Sequence, residues 1–340
     1  MSEQAAGPTT GRTDEAAPGG HGGTAGGGAP GAPAARALVV GEALVDVVRR
    51  TGAPGAAHPG GSPANVALGL ARLGRRAELL TWLADDEDGR TVRTHLEASG
   101  VRVLTGDRAP ERTSRAVATL DDAGVATYAF DLEWDLPAPV DEGAGDALVV
   151  HTGSIATVLR PGGPRVAELL ERRRATSTIT YDPNLRPALM GDPVDVLPLV
   201  EALVALADVV KVSDEDLAWL LPGLDPADVA RRWVGAGPAL VVVTRGGEGT
   251  VAVTSAGVEV DLPAQRVQVA DTVGAGDSFM GGLIDGLWSA GLLGPDRRAA
   301  LAAIDADALT AVLARCVRIA AITVSRPGAN PPTSAELDEG

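Results

Sequence analysis

This 340-residue sequence predicts an α/β fold in three layers: a mostly parallel sheet with helices on both faces, plus a small β-strand lid. Three observations carry the prediction. Apolar runs of strand length alternate with amphipathic stretches of helical length, the pattern of a parallel sheet covered on both sides. With 45% hydrophobic residues, a chain of this length can bury one large core or two smaller ones. Finally, Glu42–Arg50 and Arg112–Asp131 read as strands with no helix between them and their neighbours. They form either a separate lid sheet or an antiparallel extension of the main one.

Residues 1–36 hold ten Gly and four Pro and no Val, Ile, Leu or aromatic residue. They cannot bury enough apolar surface to offset the entropy of ordering, so a disordered tail is expected. Structure should begin at Ala37-Leu38-Val39-Val40, an apolar run ending at Gly41. Pro63–Leu73 follows as a helix, with Ser62 read as its N-cap, Pro63 at its first position and Gly74 beyond its end. Val66, Leu70 and Leu73 then share one face. Ala77–Trp82 is a core strand and Gly89–Ser99 a helix. Arg115–Leu120 and Ala126–Phe130 flank Asp121-Asp122-Ala123-Gly124, a hairpin turn. Four more core strands are expected at Ala147–His151, Thr178–Tyr181, Asp208–Val212 and Ala239–Thr244. Helices are expected at Pro164–Arg174, Val196–Leu206, Asp225–Val234, Asp277–Ser289 and Ala308–Thr323. From Pro331 the chain reads as a second, acidic tail, leaving one folded domain over residues 37–330.

Composition excludes several functions. With 29 basic and 45 acidic side chains the net charge is −16, the wrong sign for nucleic acid or an anionic membrane. No run of 18 apolar residues occurs and the start lacks signal-peptide features, so a soluble cytoplasmic protein is expected. One cysteine, Cys316, and four scattered histidines leave no disulfide and no zinc cage. Lys211 is the only lysine. A Walker P-loop and a protein-kinase strand lysine are therefore both missing, and any phosphate is expected to rest on backbone amides and arginine.

Two stretches carry chemistry. In Asp271-Thr272-Val273-Gly274-Ala275-Gly276-Asp277-Ser278-Phe279, glycines precede a helix, so free N–H groups and the helix dipole make an anion site. Asp277 is either an ordinary first-turn acid or a general base beside a bound phosphate. In Gly60-Gly61-Ser62-Pro63-Ala64-Asn65, the glycine pair allows a ligand close to the backbone, and Asn65 suits a polyol. The alternative is a plain loop and capped helix.

Together these segments resemble the two signatures of the ribokinase-like (PfkB) carbohydrate kinases, in the family's order and separation, over residues 37–330. Gly41-Glu42-Ala43-Leu44-Val45-Asp46 and Asp182-Pro183-Asn184-Leu185-Arg186-Pro187 resemble the fructokinase branch. The resemblance implies that Asp277 deprotonates a sugar's primary hydroxyl, and that the amides of Gly274, Ala275, Gly276 and Asp277 form the anion hole. It implies that Asp46, Gly60, Gly61 and Asn65 hold the sugar. Asn184, Ser213, Thr244, Gly246 and Gly249 would lie on the ATP side, and Arg186 would supply a cation to phosphate or substrate. The family's Asn-x-x-Glu motif falls on Ser213-Asp214-Glu215-Asp216, so Mg²⁺ would be ordered through water by Asp216. A K⁺ site would use Asp271, Val273 and Gly328, although Pro332 stands where a serine is frequent. The lid would close over the sugar and pair two copies into a homodimer.

The expected reaction is ATP-dependent phosphorylation of a small sugar, fructose to fructose 6-phosphate. A sugar-acid kinase acting on 2-keto-3-deoxygluconate is the alternative, with Arg112, Arg115 or Arg186 taking the carboxylate. A nucleoside is a third candidate, for which the lid offers only Tyr128, Phe130 and Trp134. A non-catalytic sensor on the same fold is favoured only by the changes at Ser213, Asp216 and Pro332. Trp82, Trp219 and Trp288 sit in apolar patterns and read as core.

Overall fold

The computed structural model describes residues 35–50, 55–120, 126–137 and 147–339. In chain order the strands are β1 (Ala37–Val40), β2 (Leu44–Arg50), β3 (Ala56–Gly60), β4 (Ala77–Leu80), β5 (Arg102–Leu104), β6 (Arg115–Leu120), β7 (Ala126–Asp131), β8 (Val149–Gly153), β9 (Thr178–Asp182), β10 (Val209–Ser213), β11 (Leu240–Thr244), β12 (Thr250–Thr254) and β13 (Glu259–Leu262). The helices are α1 (Ser62–Arg72), α2 (Glu87–Glu97), α3 (Gly162–Arg173), α4 (Pro187–Met190), α5 (Pro193–Leu206), α6 (Asp214–Leu220), α7 (Pro226–Val234), α8 (Ala275–Ser289), α9 (Arg298–Ala302), α10 (Ala306–Val324) and α11 (Ser334–Asp338).

Nine strands form the main sheet in the order β13-β12-β11-β10-β9-β8-β1-β4-β5. It is parallel from β5 to β11, and β12 and β13 extend it as an antiparallel edge. The central strands are buried on both faces, which is why they read as unbroken apolar runs. One face packs on α1, α2, α8 and α10, through residues such as Leu70, Leu96, Leu283 and Leu313. The other packs on α3, α5, α6 and α7, through Leu170, Val200, Leu217 and Trp233. Truncating any such leucine to alanine costs about 2–5 kcal/mol.

The inserted strands form a separate sheet, β3-β2-β6-β7, with β2 parallel to β6 and the other pairs antiparallel. That decides between the two readings of the sequence in favour of a lid. Its edge strand β3 went unpredicted: it is mostly exposed and contains Pro59, which an edge tolerates. The hairpin turn expected at 121–124 and residues 1–34 of the tail expected at 1–36 lie outside the described residues. Arg36, placed at the end of that tail, is buried and ion-paired to Glu78.

Three further expectations need correction. Residues 331–340 were expected as an acidic tail, yet 334–338 form α11, and Leu337 packs on Leu73 and Ile319. A capping box between Thr333 and Glu336 starts that helix. Ser62 is not the N-cap of α1: Gly61 takes that place, and the serine hydroxyl points elsewhere. Of the tryptophans, Trp82 is buried, whereas Trp219 and Trp288 are half-buried at the margins of the two cores.

Candidate active site

The parallel strands β8 to β11 end side by side, with Gly153, Asp182, Ser213 and Thr244 as their last residues. Register places Gly153 opposite Asp182 and Ser213 opposite Thr244. Open α/β sheets bind ligands beyond such carboxyl ends.

Asp277 lies in the first turn of α8, 6% exposed. Its Oδ1 accepts hydrogen bonds from the Ser62 hydroxyl (2.7 Å) and the Asn184 side-chain amide (3.0 Å). Its Oδ2 accepts from the Asn65 amide (2.8 Å). The Asn184 amide also donates to Ser62 Oγ at 2.6 Å. Among the described residues no arginine or lysine forms a salt bridge with this carboxylate, and neutral donors hold it in place. Asn184 sits at φ 37°, a left-handed conformation that asparagine tolerates better than most residues. The sequence placed Asn184 on the ATP side; here it joins Ser62 and Asn65 at the acid.

The glycine segment before α8 leaves the helix start without a side-chain cap. Gly274 is left-handed (φ 75°). A Cβ on Gly274 would stand 2.6 Å from that of Ala329. Of the four amides expected to line the hole, that of Ala275 is directed at Thr272 O (3.3 Å). Asp271 fastens this loop to the C-terminal one: Oδ1 accepts from Val273 N (3.0 Å) and Oδ2 from Gly328 N (2.8 Å). Those two amides hold its carboxyl below the usual range. Arg72, at the end of α1, clamps the same loop through Asn330 Oδ1 (2.5 Å) and Pro331 O (2.7 Å).

The first glycine pair is explained by protein neighbours. A Cβ on Gly60 would fall 2.0 Å from Asp46 Oδ2, and one on Gly61 (φ 104°) 2.5 Å from Glu42 O. The pair thus lets two acidic residues approach the start of α1. Burial pushes Asp46 above the ordinary carboxyl range, against the opposing charges of Arg186 and His58. Glu42, fully buried, accepts from Ala156 N (3.2 Å), and burial pushes it up to about 7. Arg186 folds back on its own loop, donating to Asn184 O (3.1 Å), Asn184 Oδ1 (2.7 Å) and Leu185 O (3.0 Å). Sequence reasoning had not singled out Glu42; its place beside Gly41 at a strand end was the available signal.

Among the residues expected on the ATP side, Ser213 caps α6, and Asp216 completes the capping box while its Oδ1 accepts from Leu185 N (2.8 Å). Thr244 Oγ1 donates to Val212 O at 3.5 Å. Gly246 and Gly249 both take positive φ, and Gly249 is required because a Cβ would sit 2.0 Å from Leu262 O. Lys211 carries no role in the sequence reading, which expects phosphate to rest on backbone amides and arginine. It lies buried on β10 with Nζ 3.0 Å from Asp182 Oδ2, beneath the start of α8. Arg112 and Arg115 do not enter the site; they pair with Asp131 and Asp88. Among the described residues no group of three or more His, Cys, Asp or Glu side chains is placed to hold a metal, and no helix is long and apolar enough to cross a membrane.

Comparison with known proteins agrees with this arrangement. Residues 34–336 match the pfkB family carbohydrate kinase. A fructokinase of Rhizobium leguminosarum bv. trifolii is 35% identical over 285 residues, covering 80% of this chain and 85% of that protein. One from Klebsiella pneumoniae is 36% identical over 277 residues, covering 78% and 87%. The crystal structure of a fructokinase from Xylella fastidiosa with bound ATP superposes with a TM-score of 0.77 at 25% identity, covering 89% of this chain and 97% of that one. The chain belongs to the pfkB family of carbohydrate kinases and is a fructokinase-like sugar kinase, a phosphotransferase.

Proposed function

We propose that the protein transfers the γ-phosphoryl group of ATP to the primary hydroxyl of a small neutral sugar, fructose first, giving fructose 6-phosphate. The observation that carries this is the position of Asp277: one buried carboxylate joins Ser62 and Asn65 of the first glycine segment to the uncapped helix start of the second. The sugar lies between Asp46, Asn65 and the lid. Asp277 takes the hydroxyl proton as the oxygen attacks the γ-phosphorus in line; the bond to the β,γ-bridging oxygen breaks and ADP leaves. The amides of Gly274, Gly276 and Asp277 receive the charge that develops on the transferred group. Lid closure excludes water.

Mg²⁺ fits the donors present. Asp216, buried at the start of α6 with Oδ1 held by Leu185 N, would hold it through water. When bound, Mg²⁺ neutralises phosphate charge. K⁺ fits less well: Asp271 has turned both oxygens to amides and Pro332 has no hydroxyl, leaving carbonyls such as those of Val273 and Gly328. The lid face that carries Asp46 also carries Val48 and Phe130, 45% and 38% exposed, which supports pairing of two copies there. Sedimentation showing only monomer at micromolar concentration would exclude that pairing. A cytoplasmic setting suits the buried free thiol of Cys316.

A neutral sugar is preferred over a sugar acid because Arg112 and Arg115 are engaged elsewhere, while Glu42 and Asp46 place acidic groups around Arg186. A coupled ADP-release assay over fructose, other hexoses, 2-keto-3-deoxygluconate and nucleosides tests the reading. Fructose is expected to show the highest kcat/KM; a higher value for the sugar acid would reverse the choice, and sugar binding without ADP release would point to a sensor.

A further inference from the structure

The only lysine of the chain is buried under the phosphate cradle. Lys211 points from β10 toward α8, and a Cβ added to Gly276 would stand 2.9 Å from its Nζ. Its ion-pair partner is Asp182 at 3.0 Å, with the two side chains 3% and 0% exposed. Asp216 and Asp277 face the same ammonium. Burial works against its charge, but the three carboxylates outweigh burial and hold the lysine protonated. His151, on the same sheet face, is kept neutral by its own burial and by this cation. The position is unfavourable for stability alone, since a helix N-terminus repels a cation. The pairing is also incomplete, because Asp182 Oδ1 has no partner.

We propose that Lys211 is a positioning residue for phosphoryl transfer: its ammonium, packed beneath Gly276, adds a full positive charge under the amides that receive the γ-phosphoryl group. The lysine then supplies from below what a P-loop lysine supplies by reaching over the phosphates. The inference rests on the anion-hole reading given above.

The test compares wild type with Asp182→Asn/Lys211→Gln, a neutral pair of similar shape that removes both charges. Melting temperature, KM, kcat, and calorimetric affinity for ADP alone and for ADP with fluoroaluminate are measured. The expected result is a folded variant with ADP affinity and both KM values within about threefold of wild type. Its kcat and its fluoroaluminate-dependent gain in affinity should both fall by about 100-fold, the scale of losing one anion-hole donor. Near-wild-type kcat in the double variant would overturn the proposal, since Lys211 would then serve only to neutralise Asp182. Should that variant not fold, Lys211→Arg, which keeps the charge, decides: retained analogue binding supports the proposal and loss overturns it. Failure of both to fold also overturns it, by placing the role of Lys211 in the core. If wild type itself gains no affinity from fluoroaluminate, the anion-hole reading fails, and the lysine proposal fails with it for that separate reason.

Discussion

The two helices that open on the cleft start differently. Both follow a glycine with positive φ, 104° at Gly61 before α1 and 75° at Gly274 before α8. Beside the first lie the Asp46 carboxylate and the backbone carbonyl of Glu42; beneath the second lies the Lys211 ammonium, ion-paired with Asp182. The same local device, a glycine followed by a bare helix N-terminus, is thus set beside a carboxylate at one end and above a lysine–aspartate ion pair at the other. A polyol whose hydroxyls donate hydrogen bonds suits the first, and a phosphate suits the second. Asp277 belongs to the second helix yet is held by Ser62 and Asn65 of the first. In the proposed reaction, what lies under each helix, more than the glycines, would separate acceptor from donor.

The sharpest way to break this comparison is at the junction. Asp277→Asn keeps the hydrogen-bond geometry but cannot accept the proton, and should lower kcat by about 10²–10⁴-fold with ATP affinity nearly unchanged, read by ADP release and calorimetry. Retained turnover would remove Asp277 as the base. The buried Glu42 carboxyl, held by Ala156 N, is tested by Glu42→Gln. In the folded protein Glu42 titrates near 7, above the ordinary 4.5, so it favours folding fully below pH 4.5 and loses that contribution as pH rises through 7. A wild-type-minus-variant difference in unfolding free energy should therefore shift toward the variant by about 3 kcal/mol between pH 4.5 and 8, measured by urea unfolding. No shift would mean that Glu42 is solvated.

Gly60→Ala drives a methyl group into the Asp46 carboxylate and should raise the sugar KM about tenfold while leaving the ATP KM unchanged, as expected for a loss confined to acceptor binding. An equal rise in both would show that the two helix starts do not act separately. Smallest is Arg112→Ala. Its exposed ion pair with Asp131 is worth no more than about 1 kcal/mol, so melting and sugar KM should barely move. A large loss of activity with a sugar acid in this variant would restore the alternative substrate.

The legible parts of the molecule were those where burial is two-sided or the backbone is constrained. Thr178–Tyr181 and Ala239–Thr244 read as strands because both faces of β9 and β11 are covered. Strand β3 was hidden because one exposed edge strand leaves no apolar pattern. Helix α11 was hidden because a single buried leucine, Leu337, sits among acids; the Thr333–Glu336 capping box was the one sign of it. Ser62 satisfied every rule for a cap, yet its hydroxyl found a stronger partner, the Asp277 carboxylate 215 positions away.

From the chain alone came the layered α/β architecture, the two glycine segments and the acid of the second, because these depend on periodicity and on backbone conformations that few residues adopt. Only the tertiary structure decided what lies under each helix. Lys211, Asp182 and Glu42 look like ordinary strand or loop residues in one dimension. Their charges matter through neighbours brought within a few ångströms by the stacking of parallel strands, at distances where a dry interior no longer screens them.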